Sequence, residues 1–130
     1  MTTLAGQHPY QYVVLRCVPR ADREEFVNVG VVLYCESTGL LRLGHLVVEE
    51  RLRALDPGVD LAQVRAALDF VDGVCAGDAR GGAAAQRPAG QRFGFLRAPR
   101  STVIRPGPVH GGVTADPERE LEWLLERLVG

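Results

Sequence analysis

Arg16, Asn28 and Gly30 are the residues whose types fit least well with their surroundings. Asn28 and Gly30 interrupt an otherwise apolar run, Phe26-Val27-Asn28-Val29-Gly30-Val31-Val32-Leu33. Asn competes for backbone hydrogen bonds in a strand and Gly weakens one by entropy, so each needs a local reason. The preceding apolar run ends in Leu15-Arg16-Cys17-Val18-Pro19. If the two runs pair through the polar loop between them, Val18 opposes Phe26 and Arg16 opposes Asn28. In that register Val14 faces Gly30, Tyr12 faces Val32 and Tyr10 faces Tyr34. The other face then sets Val13, Leu15 and Cys17 against Val27, Val29, Val31, Leu33 and Cys35. A guanidinium beside an amide, with Glu24 or Glu25 within reach from the loop, suits an anion or a partner chain. The competing use is structural: Arg16 pairs with a loop carboxylate and Asn28 holds the turn. Gly30 leaves room for a bulge, or for the close approach of another backbone or a ligand.

A second candidate is the series Arg92, Arg97, Arg100 and Arg105, with Ser101 and Thr102 adjacent and His110 close behind. The planar fork of Arg matches phosphate or carboxylate. The alternative is a solvated edge whose charges balance Glu49, Glu50 and the acidic last helix. Only Phe93 and Phe95 interleave these cations, which is thin support for single-stranded nucleic acid.

Other chemistries are excluded or unsupported. All fifteen basic residues are Arg. Without Lys this chain forms no Schiff base and supplies neither the P-loop lysine nor the strand lysine of a protein kinase. His8, His45 and His110 lie far from one another and from any Cys or acidic cluster, so no metal site is expected. The glycines from Gly77 to Gly82 lack dinucleotide-binding spacing and follow no strand; no cofactor is expected. Cys17, Cys35 and Cys75 are odd in number and widely spaced, which reads as buried, reduced thiols in a cytoplasmic protein. The first eight residues have neither a basic nor an apolar leader segment, and no apolar run approaches the roughly 18 residues that cross a bilayer. A net charge of −1 gives no global attraction to nucleic acid or to an anionic membrane.

The elements that must position these groups follow from periodicity. The 130 residues, 46% hydrophobic, suit one domain with one core. Residues 10–18, 26–36 and 40–46 predict a three-stranded antiparallel meander. Residues 48–55 form a short charged segment stopped by Asp56-Pro57-Gly58. Asp60 caps a helix with the stripe Leu61, Val64, Leu68, Val71 and Cys75, ended by Gly77. Residues 78–90, rich in Gly and Ala, predict a mobile loop. Residues 92–105 predict a return to extended structure, and 109–114 a short edge strand. Asp116-Pro117 starts a last helix buried through Leu121, Leu124, Leu125 and Leu128. The fold class is therefore α+β: an antiparallel sheet of four to five strands packed against two main helices.

Tyr12-Val13-Val14-Leu15-Arg16-Cys17-Val18-Pro19 and Arg23-Glu24-Glu25-Phe26-Val27-Asn28-Val29-Gly30-Val31-Val32 resemble a bacterial family, domain of unknown function 3037. The resemblance continues through residues 93–101, His110-Gly111 and Asp116-Pro117, nearly the whole chain. It implies no catalytic residue. Members are often encoded beside HipA-like serine/threonine kinases, which implies an accessory or regulatory protein of such a kinase. The sequence thus favours a non-enzymatic protein-binding module, with Arg16, Glu25, Asn28, Gly30, Arg97, Arg100, Ser101 and His110 as the binding candidates. Two alternatives stay open: a small enzyme or binding protein for an anionic ligand, and a structural homodimer.

Overall fold

The computed structural model describes residues 6–130; the expectation of no leader in the first eight residues falls partly on residues 1–5, which lie outside the described residues. Strands β1 (His8–Cys17), β2 (Val27–Cys35) and β3 (Leu40–His45) form the antiparallel meander. A 3₁₀ turn, Glu36–Thr38, leads from β2 into β3, and Gly39 takes the left-handed φ of 73° that the turn demands. Helices α1 (Glu49–Leu55) and α2 (Leu61–Ala76) follow, then a 3₁₀ segment (Ala79–Gln86) and α3 (Ala89–Arg97). The chain returns to the sheet as β4 (Ile104–Pro106) and β5 (His110–Thr114) and ends in α4 (Pro117–Leu128). The sheet order is β3-β2-β1-β4, with β5 also on β1. The long strand β1 is shared: residues 8–12 pair with β5 and residues 15–17 with β4, all antiparallel.

The sheet is covered on both faces. Val13, Leu15, Cys17, Val29 and Val32 pack with Leu52 of α1, Val64, Leu68 and Val71 of α2, and Phe93 and Leu96 of α3. Tyr10, Val31, Leu33 and Cys35 pack on the opposite side with Leu121 and Leu124 of α4 and with Val129. The two main helices carry the expected caps: Asp60 accepts from the Gln63 amide at 3.0 Å, and Asp116 from the Arg119 amide at 3.2 Å. Gly77 closes α2 with φ 74°.

The structure corrects the expected hairpin register. Arg16 does oppose Asn28, but a bulge at Val29 shifts everything beyond it, so Leu15 opposes Gly30, Val14 opposes Val31 and Tyr12 opposes Leu33. Gln11, not Tyr10, opposes Tyr34. The extra residue turns the second half of β2 over. Val31, Leu33 and Cys35 therefore face α4, while Val27, Val29 and Val32 stay with Val13, Leu15 and Cys17.

Residues 89–97 also differ from expectation. Phe93 and Leu96, three positions apart, are both buried, and the segment is helical rather than extended. The predicted loop over 78–90 holds the 3₁₀ segment, which lies backbone to backbone on α2. A Cβ on Gly73 of α2 would stand 2.5 Å from Arg80 Cβ and 2.6 Å from the Gly81 nitrogen, so only glycine permits the contact. Arg80 spans the junction at the surface, reaching Asp69 at 2.9 Å, Asp72 at 2.8 Å and Asp78 at 2.7 Å. Hydrogen bonds to these carboxylates, Asp78 first, raise its pKa, and the same Arg80 bonds hold the Asp78 carboxyl below its usual range.

Candidate functional site

In the first hairpin, the amide is engaged in the fold. Asn28 Nδ2 donates to the Leu128 carbonyl at 3.1 Å, and Arg51 Nη1 donates to the Val129 carbonyl at 2.6 Å. The last carbonyls of α4 have no intrahelical donor, so these two side chains satisfy them from outside the helix. That is the local reason for an Asn inside β2, and no hairpin amide is involved. Gly30 marks a close approach: a Cβ there would stand 3.0 Å from the Gly44 carbonyl oxygen of β3. Glu25 pairs with Arg23 in the loop, not with Arg16.

Arg16 lies half-buried beside Asn28 on one side and Arg105 of β4 on the other. Its guanidinium sits over the Phe26 ring at 4.3 Å and against Gly107. Two like charges paired across adjacent strands are unfavourable unless other groups offset them. Arg105 Nε donates to the Thr102 carbonyl at 2.9 Å, and neither Arg forms an ion pair among the described residues.

The second Arg series divides by role. Arg92 is structural: its Nη1 donates to the carbonyls of Val74 at 2.9 Å and Cys75 at 2.7 Å, closing the end of α2. Arg97 is exposed in the last turn of α3, and Ser101 is exposed in the loop that follows. Arg100 folds back on α3, donating to the Phe95 carbonyl and sitting over the Phe95 ring at 4.7 Å. Partial burial lowers its pKa from the ordinary value, so its charge is already partly stripped of water. His110 stands apart, stacked on Tyr12 at 5.2 Å.

Arg100 and Thr102 are the polar members of a cleft of about 180 Å³ whose apolar walls include Leu15, Phe70, Leu96 and Ile104. Phe70 of α2 and Phe95 of α3 meet edge to face at 6.2 Å beside it, 36% and 41% exposed. Arg16 and Arg100 do not converge. Leu15 and Arg16 are neighbours on a strand and point to opposite faces; the cleft belongs to the Leu15 face and Arg16 to the α4 face.

Sequence reasoning passed over Phe70 and took Phe95 for a strand residue. Two signals mark the region. Phe70 falls off the apolar stripe of α2, and the chain has no Asp or Glu between Asp78 and Asp116.

Nucleophilic and metal chemistry find little footing. Cys17, Cys35 and Cys75 are free and buried. Burial pushes the Cys17 thiol up to about 11 and the Cys75 thiol up to about 12, which leaves little thiolate at neutral pH. Among the described residues no group of three or more His, Cys, Asp or Glu is placed to hold a metal ion, and no helix is long and apolar enough to cross a membrane.

A family model described as protein of unknown function DUF3037 matches residues 12–129. No curated protein and no solved structure matches the chain.

Proposed function

The chain belongs to that family, and on that premise we propose that it works as a non-catalytic protein-binding module. Its partner in this reading is a HipA-like serine/threonine kinase, the partner that the family resemblance implies. One observation carries the proposal. Phe70 and Phe95, on different helices, hold their rings together in solvent beside an apolar cleft. Paired exposed aromatics next to a pocket are the kind of surface that a protein partner desolvates.

The fate of the polar groups supports the same reading. Asn28, Arg80 and Arg92 hold helix ends and a junction together. The alternative, a small-ligand site assembled from Arg16, Arg97, Arg100 and His110, is less well supported because Arg16 and Arg100 serve opposite faces of the sheet.

Co-expression with the neighbouring kinase, followed by size-exclusion chromatography at about micromolar concentration, tests the proposal. A single co-eluting peak is the expected result. Two separate peaks overturn it.

A further inference from the structure

We infer that the cleft between α2, α3 and β4 docks an acidic segment of a partner protein, with one large apolar side chain in the cleft and a neighbouring carboxylate on Arg100. The inference rests on the protein-binding reading and specifies the chemistry of the partner.

Size sets the first constraint. A volume of about 180 Å³ is about six times the share of one water in the liquid, about 30 Å³. It falls below the range of roughly 300–1,000 Å³ typical of pockets that enclose a whole small-molecule ligand or cofactor. It suits one anchoring side chain. The walls are apolar, so the part of the partner that enters is apolar too.

Charge sets the second constraint. Between Asp78 and Asp116 the chain carries Arg80, Arg87, Arg92, Arg97, Arg100 and Arg105 and no carboxylate. Arg80 is neutralised by three Asp from α2 and its own turn, and Arg92 is held by the end of α2. Arg105 opposes Arg16 on the other face of the sheet, while Arg97 and Arg100 form no ion pair among the described residues. Arg100 has only carbonyl partners, those of Phe95 and Ala98. Carbonyl dipoles leave its full positive charge uncompensated, and its half-buried setting has already removed part of its hydration. A carboxylate from a partner gains a charge-assisted hydrogen bond at small further desolvation cost. Phe95 beneath the guanidinium and Phe70 beside it supply the aromatic surface around that anchor.

Nucleic acid fits less well. Binding to a phosphate backbone rests on several cations in a row, whereas this molecule has a net charge of −1 and an apolar cleft.

The test is a titration of the isotope-labelled full chain, followed by amide NMR shifts, with the peptide acetyl-Asp-Glu-Phe-Asp-Glu-amide. Two control peptides replace its acids by Lys or its Phe by Ser. The acidic aromatic peptide is expected to shift Phe70, Leu96, Arg100 and Ile104 together, and both controls to bind about tenfold more weakly or worse. Arg100→Glu is expected to lose the acidic peptide by a similar factor and to improve binding of the Lys peptide. Ala67→Trp, which plugs the cleft from α2, is a second variant expected to abolish the shifts. Equal binding by wild type and Arg100→Glu overturns the inference, as do shifts confined to other surfaces. Octanoate shifting the same amides as strongly as the peptide also overturns it, in favour of a free carboxylate, and oligouridylate doing so overturns it in favour of RNA. A co-expressed kinase complex that survives Arg100→Glu removes this pocket and leaves the binding-module reading intact. Loss of the complex in the wild type removes the broader reading, while the peptide titration reports on the cleft independently.

Discussion

Two arginines twenty residues apart, Arg80 and Arg100, occupy opposite kinds of environment. Arg80 sits at the junction of α2 with the 3₁₀ segment, ringed by Asp69, Asp72 and Asp78, over a contact tight enough to require glycine at 73 and 81. Arg100 sits at the cleft, bonded to backbone carbonyls alone, next to two exposed aromatic rings and empty space. The same side chain closes one region and leaves the other open. Arg80 is the more exposed of the two, and yet it is the one whose counter-charge the chain supplies; the half-buried Arg100 has no carboxylate partner among the described residues and unfilled space beside its guanidinium.

The sharpest way to break this contrast is to add one methyl group in each region. Gly73→Ala forces a Cβ into the backbone of the 3₁₀ segment and is expected to destabilise the protein by about 1–3 kcal/mol in urea unfolding. A neutral result would show that the junction is loose. Asn28→Ala extends the test to the other side of the sheet. It leaves the Leu128 carbonyl without its side-chain donor and should lower stability by about 1–2 kcal/mol while leaving partner binding intact. A loss of binding without a loss of stability would return Asn28 to the surface that partners read.

The contact between Tyr10 and Glu120 gives a pH-dependent version of the same test. The phenol donates to Glu120 at 2.6 Å, and burial, then that bond, raises its pKa. The neutral form is favoured in the folded chain. Its contribution is complete below about pH 10, the ordinary phenol value, and is lost as pH climbs beyond it towards the raised folded value. Urea midpoints should fall above about pH 10 in wild type and fall less steeply in Tyr10→Phe. At the open region, Gly94→Ala on α3 meets no atom within 4 Å and is expected to gain up to about 1 kcal/mol through helix propensity. Opposite signs at Gly73 and Gly94 would confirm that one helix is sealed and the other is not. The smallest expected effect is on the exposed Arg80 cluster. Arg80→Gln should weaken the protein slightly at low salt and not measurably at high salt, as monitored by thermal unfolding.

Much of this architecture was legible in local patterns. Asp60 and Gly77 bound α2, Asp116 and Pro117 start α4, and the three strands of the meander lie within two residues of their expected ends. These are signals of short range: a cap, a break, a stripe repeating every 3.6 residues. The register of β2 was not legible, because Val29, Val31, Val32, Leu33 and Cys35 are all 0% exposed. With apolar layers on both faces, alternation carries no information, and a slip of one residue buries as much as the true pairing. The helix α3 was obscured for a related reason. Phe93-Gly94-Phe95 alternates like a strand, and only the burial of Phe93 and Leu96 together selects the helix.

The candidate residues follow the same division. Amino-acid types alone placed a guanidinium opposite an amide in the first hairpin, excluded lysine chemistry and marked a series of Arg from Arg92 to Arg105. They could not assign uses, because use depends on what arrives from far along the chain. Asn28 is answered by a carbonyl one hundred residues away, Arg80 by carboxylates on a neighbouring helix, and Arg100 by none among the described residues. Composition and periodicity are local quantities and fix caps, strands and helix faces. Counter-charges and cavities are set by distances between segments remote in sequence, and those exist only once the chain has packed.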